Sequence, residues 1–148
     1  MKIRVLAIFF ILLLLCGCGA KEKNGDLNCH VQIDCLDVLE HPETLKEEKS
    51  EIIPKDGIFF AEDASFSQGE TVYEVLIRVL QNEKLQYEKD ATNYILAVGN
   101  LYSGDCGELS GWLYRVNGES PIVGITEYVL QDGDEVRFYF VTDFTKEF

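Results

Sequence analysis

One segment of the chain carries a sustained helical period, and the residues after it form a series of β-type runs broken by tight turns. Thr71 and Glu74 have the spacing of a capping box, and Val72, Val75, Leu76, Val79 and Leu80 recur at helical intervals behind it. The spacing predicts an amphipathic helix to about Asn82 with a single apolar stripe. Downstream, Tyr94 to Val98 is β-rich and stops at Gly99, and Trp112 to Val116 stops at Asn117-Gly118, a strong hairpin signal. Tyr128 to Leu130 leads into a second turn at Asp132-Gly133. In the closing run, Glu135 to Val141, Val136, Phe138 and Phe140 alternate with Arg137, Tyr139 and Val141, so both faces can be covered. One amphipathic helix crossing a mixed sheet is the compact α+β arrangement that satisfies these patterns.

Ahead of the helix the signals are shorter. Val31 and Ile33 alternate with Gln32 and Asp34, the pattern of a half-buried strand. Cys35 to Ser50 is rich in Leu, Glu and Lys and reads as short helical turns before Pro54 and the Asp56-Gly57 turn. Ile58 to Phe60 and Ala64 to Phe66 read as two short extended pieces.

The amino terminus reads as an address. Lys2 and Arg4 precede an apolar run from Val5 to Cys16, too short for a bilayer span of roughly 20 residues and suited to a signal peptide. Leu15-Cys16-Gly17-Cys18 resembles a bacterial lipobox, which makes Cys18 the lipidation site. Residues 1–17 are then a lipoprotein signal peptide, 18–28 a lipidated polar tether and 29–148 one folded domain. The expected location is the extracytoplasmic face of a membrane, held through an amino-terminal lipid. The full chain has a net charge of -13, and the signal contributes two bases and no acid, so the domain is more acidic still. Such a surface repels phosphate backbones and argues against nucleic acid as a partner.

Export would permit disulfides among Cys29, Cys35 and Cys106. Cys29 and Cys35 would lie about 20 Å apart on an extended strand, so either one with Cys106 is the more plausible pair. The chain offers no zinc-type cysteine pair, and His30 and His41 have no ligand set beside them in sequence. Asp132, Asp134 and Glu135 lack a calcium-loop framework. Ser110 sits in a glycine-rich segment with the wrong spacing for a nucleophile elbow, and a buried or bridged Cys106 is more plausible than a Cys106–His30 nucleophile. The reading is therefore non-catalytic, with no metal and no resident cofactor.

The block Gly107-Glu108-Leu109-Ser110-Gly111-Trp112-Leu113-Tyr114-Arg115-Val116-Asn117-Gly118, followed by Leu130-Gln131-Asp132-Gly133-Asp134-Glu135-Val136, resembles the DUF4430 family. That domain is similar to the carboxy-terminal, β-grasp-like domain of transcobalamin and intrinsic factor. The resemblance spans about Cys29 to Asp143, and lipobox-bearing members look typical of Gram-positive anaerobes. It implies a β-grasp-like sheet with its first strand parallel to its last. It also implies a Cys29–Cys106 bridge, because Thr142 stands where relatives often carry the cysteine that would partner Cys35. Tyr102, Ser110, Trp112, Tyr114 and Tyr128 are the candidate ligand-binding residues of a surface module that takes a small planar ligand, cobalamin or another corrinoid among them, against the reading in which Trp112 and Phe138 are core and the tyrosines cover the sheet edge. The alternative is a structural or protein-interaction module that docks a surface protein with the same sheet.

Overall fold

The computed structural model describes residues 27–147; the expected signal peptide, the expected lipidation site Cys18 and most of the expected tether lie outside the described residues. Among the described residues, seven strands form two sheets, accompanied by two α-helices. The larger has the order β2-β1-β7-β6, from β1 (Leu27–Asp34), β2 (Ile58–Phe66), β6 (Gly111–Val116) and β7 (Glu135–Val141). The smaller has the order β3-β4-β5, from β3 (Tyr87–Lys89), β4 (Ile95–Val98) and β5 (Leu101–Tyr102). The class is α+β, and β1 runs parallel to β7 with Val31 opposite Val136 and Ile33 opposite Phe138.

The core follows from register. Val31, Ile33, Val136, Phe138, Phe140, Trp112 and Val116 share one face of the larger sheet and are all buried. The helix α2 (Val72–Asn82) supplies its stripe of Val72, Val75, Leu76, Val79 and Leu80 to the same core. Its start is the expected capping box, with the Thr71 side chain accepting from the Glu74 N–H and the Glu74 carboxylate accepting from the Thr71 N–H.

The opposite face of the sheet is ionic. Asp34, fully buried, accepts from Arg137 Nε at 2.7 Å and Nη2 at 2.9 Å, from Gln32 Nε2 at 2.8 Å and from the Leu36 N–H at 3.3 Å. The Arg137 guanidinium lies 4.5 Å from the Tyr139 ring centre, and Tyr139 donates to Glu147 at 2.9 Å. Burial, with that hydrogen bond, pushes the Tyr139 phenol up to about 12.

Several local expectations change. The two pieces at 58–60 and 64–66 are one nine-residue strand, β2, whose polar Glu62 and Asp63 lie on an exposed sheet edge. Tyr128 to Leu130 makes only a bridge, Val129 to Thr71. The turns at 35–50 resolve into α1 (Leu36–Glu40) and two 3₁₀ turns. Asn117 and Gly118 both have positive φ, 54° and 81°, as a two-residue hairpin turn requires.

The expected Cys29–Cys106 bridge is not formed: Cys29, Cys35 and Cys106 are buried free thiols. Cys29 lies near the start of β1 and points its sulfur at the Ala64 carbonyl, 3.6 Å away. Cys35 follows the far end of the same strand, where Cys106 and Asp34 act on it electrostatically. The length of β1 thus separates Cys29 from Cys106. Burial first, then Asp134, pushes the Cys29 thiol up to about 11; burial, then Asp34, pushes Cys35 up to about 12.

Candidate functional site

The free edge of β6 and the connection that leads on to β7 enclose an apolar cleft of about 210 Å³. Tyr94, Trp112, Tyr114, Tyr139, Pro121 and Ile125 are among the residues around it. Trp112 forms its floor. The indole stacks on Phe138 at 5.2 Å with planes 3° apart, meets Phe140 edge-on at 5.3 Å and donates Nε1–H to the Leu101 carbonyl at 3.0 Å. Only 2% of the residue is exposed, so Trp112 serves the core and the cleft together.

Tyr114 forms the wall. Its hydroxyl donates to the Val123 carbonyl and ties the 119–126 loop to β6. Burial, with Tyr128 nearby, raises its pKa, so the phenol stays neutral at ordinary pH. Tyr94, half exposed, also lines the cleft, and at the tip of the loop Ile122 is fully exposed and Val123 37% exposed.

The structure brings together two of the five aromatic or polar residues expected at a ligand site, Trp112 and Tyr114, and leaves three elsewhere. Tyr102 is on β5 in the smaller sheet, beside a different groove; its hydroxyl donates to Glu88 and its ring carries the Lys49 ammonium at 4.8 Å. Ser110 is buried and spends its hydroxyl on its own loop, donating to the Gly107 carbonyl at 2.7 Å and accepting from the Cys106 N–H at 3.1 Å. Tyr128 packs on the core behind Tyr114 and accepts the Val72 N–H on its carbonyl at 3.0 Å. Tyr94 joins the cleft instead, and Tyr139 borders it from β7 while its ring lies on the ionic face with Arg137 and Glu147. Their sequence signal is the β-type alternation alone, which does not say which strand edges share a cavity.

The remaining reactive groups have structural partners. His30 pairs with Asp63 at 2.9 Å on the exposed side of β1 and β2. Asp132 accepts the Asn28 N–H at 2.9 Å, and buried Asp134 accepts from Asn117 Nδ2 and the Gln131 N–H, so both acids organise turns. His41 has neighbours that sequence spacing does not display: Asp37, Glu40 and His41 offer ligand-type atoms that all lie within 4.8 Å of one another.

Residues 69–142 match the family model described as "Domain of unknown function (DUF4430)", from the lead-in to α2 through the end of β7. The chain belongs to the DUF4430 family. No curated protein matches it in sequence. Among solved structures, haptocorrin in complex with Cbi is similar over 79% of this chain, with 11% identity and a TM-score of 0.56. At that identity the likeness is one of fold, and the chain spans 25% of the haptocorrin chain's length. A candidate metal-binding protein from Ruminococcus gnavus ATCC 29149 overlaps 78% of this chain and 96% of its own, with 14% identity and a TM-score of 0.43.

Proposed function

We propose that this DUF4430 chain is a lipoprotein anchored through Cys18 on the extracytoplasmic side of a membrane, and that its domain binds a small ligand without catalysing a reaction. The observation that carries the binding reading is the aromatic cleft floored by Trp112 and walled by Tyr114. Its lining is apolar with a few polar tips, the composition of a ligand site. Its volume of about 210 Å³ is below the range of roughly 300–1,000 Å³ in which ligand pockets bury a drug-sized molecule. The domain therefore grips one edge or face of its ligand. A corrinoid is the first class to test, supported by the shared fold with haptocorrin, whose structure holds Cbi.

Trp112 is the chain's single tryptophan, which makes fluorescence a direct probe of the cleft floor. Cobinamide should quench it saturably, with matching heat in calorimetry, and Tyr114→Ala should weaken both. Linear quenching with no heat up to high micromolar ligand would sink the corrinoid form of the reading.

A second reading, docking of a surface protein, is favoured by the exposed Ile122 and Val123 at the loop tip. Under that reading Ile122→Asp abolishes the partner's binding, while wild-type Trp112 emission ignores every small ligand.

A further inference from the structure

We propose that Asp37, Glu40 and His41 form a binding site for one divalent transition cation, zinc by ligand type, on the surface of α1 and distinct in role from the aromatic cleft. The three occupy positions i, i+3 and i+4 across α1 (Leu36–Glu40) and its C-cap, His41, so one turn places them on the same face. Their ligand atoms lie within 4.8 Å of one another, and Asp37 Oδ1 is 3.9 Å from His41 Nε2. Tetrahedral zinc with bonds of about 2.0–2.1 Å sets its ligands about 3.3 Å apart. Rotation of the exposed Glu40 and half-exposed His41 side chains covers that difference.

One hydrogen-bonded contact from outside the trio fixes Asp37 in a ligating pose, and a second carboxylate stands near His41. The buried Thr142, just past β7, donates its N–H and its hydroxyl to Asp37 Oδ2, each at 2.6 Å. That carboxylate is fixed by another part of the fold, with Oδ1 left for His41. On the other side, His41 Nδ1 lies 3.7 Å from a Glu43 carboxylate oxygen. That is too long for a hydrogen bond, and a small rotation of the exposed Glu43 side chain would bring it into the outer position from which a carboxylate orients a metal-ligating imidazole.

Charge gives the independent argument. Asp37, Glu40 and Glu43 crowd one imidazole, and among the described residues none of the three pairs with a Lys or Arg. Nearby Lys46 is engaged by Asp105 at 2.9 Å, and Lys146 lies 3.9 Å from Asp143. Among the described residues no Lys or Arg thus forms an ion pair with these carboxylates, and a bound cation would balance them. One imidazole with two carboxylates suits zinc or a similar transition ion, whereas calcium and magnesium take oxygen ligands. Three protein ligands leave one coordination position for water.

The test is Co²⁺ titration of the chelator-stripped full-length chain in detergent, at neutral pH, followed by Zn²⁺ displacement. One equivalent should bind with the strong visible bands of a low-coordinate ion, and Zn²⁺ should erase them. His41→Gln should weaken binding about tenfold or more, and Glu43→Gln should weaken it less, as an outer partner does. His30→Gln should leave it unchanged, although His30 also faces a carboxylate. His41 is partly exposed, so its variant keeps the fold, which the circular dichroism melt verifies. Absence of the visible bands, equal affinity in His41→Gln, or a near-ultraviolet thiolate band placing the ion on cysteine would each overturn the site.

Discussion

Replacing Arg137 with Met tests whether the ionic face of the sheet ties its first strand to its last. Asp34 is buried, and the guanidinium supplies two of its four hydrogen bonds, at 2.7 and 2.9 Å. Met keeps an unbranched stem but takes the guanidinium off the Tyr139 ring and leaves the carboxylate with Gln32 Nε2 and the Leu36 N–H alone. Breaking a buried pair from one side costs about 3–5 kcal/mol. Arg137 is 38% exposed, so water reaches part of the vacated site and the expected cost falls to about 2–3 kcal/mol. For a domain of this size that lowers the melting midpoint by roughly 6–15 °C. Urea unfolding followed by far-ultraviolet circular dichroism measures the loss, with Asp34→Leu and the double variant completing a cycle. The double variant should recover most of the stability, because replacing both charges removes the unpaired carboxylate. A cost below about 0.5 kcal/mol for the single variant, or strict additivity in the cycle, would refute the reasoning.

Alkali should destabilise the domain. Burial holds the Cys29 thiol up to about 11, and Cys35 and Tyr139 up to about 12, so above about pH 9 the unfolded chain releases protons that the native state keeps. Stability is then fully present below about pH 9 and falls as pH rises through these values; a urea midpoint that stays flat from about pH 8 to 11 would contradict the burial of these groups. Gly99→Ala should cost about 2–4 kcal/mol, since φ is +59° and an added Cβ would lie 2.4 Å from Phe59 Cε1; a thermal melt within about 2 °C of wild type would exclude that clash. Cys18→Ala should move the chain from the membrane fraction to the soluble fraction, and undiminished anchoring would remove the lipid from the proposal.

The elements legible in the sequence are those with a local physical signature. The helix announces both its stripe and its cap, because Thr71, Glu74 and the apolar residues interact within a few turns of each other. The Asn117-Gly118 turn is equally local. Strand β2 reads as two pieces because Glu62 and Asp63 interrupt its apolar residues, and only its edge position lets those acids face water. Strands β3 and β5, three and two residues long, are too short for any periodicity. The candidate site is half legible for a related reason. Trp112 and Tyr114 alternate on one strand and therefore share a face, whereas Tyr102 belongs to a separate small sheet that composition does not reveal. Tyr94, just ahead of β4, reaches the cleft only through the approach of segments distant in sequence. The Asp37, Glu40 and His41 trio requires knowing that the five residues after Cys35 complete a true helical turn.

The parallel pairing of β1 with β7 sets the order in which this molecule can be completed. Its ladder joins His30–Asp34 to Glu135–Tyr139, partners about a hundred residues apart. A ribosome that has released everything up to Gly133 has made the first strand, the helix and the smaller sheet, yet the centre of the larger sheet still has no second member. Assembly must wait for the last segment, and contacts of such long range make folding slow. Any chain that stops short of Glu135 loses its middle and not merely its end, so carboxy-terminal truncation should be all-or-none in effect.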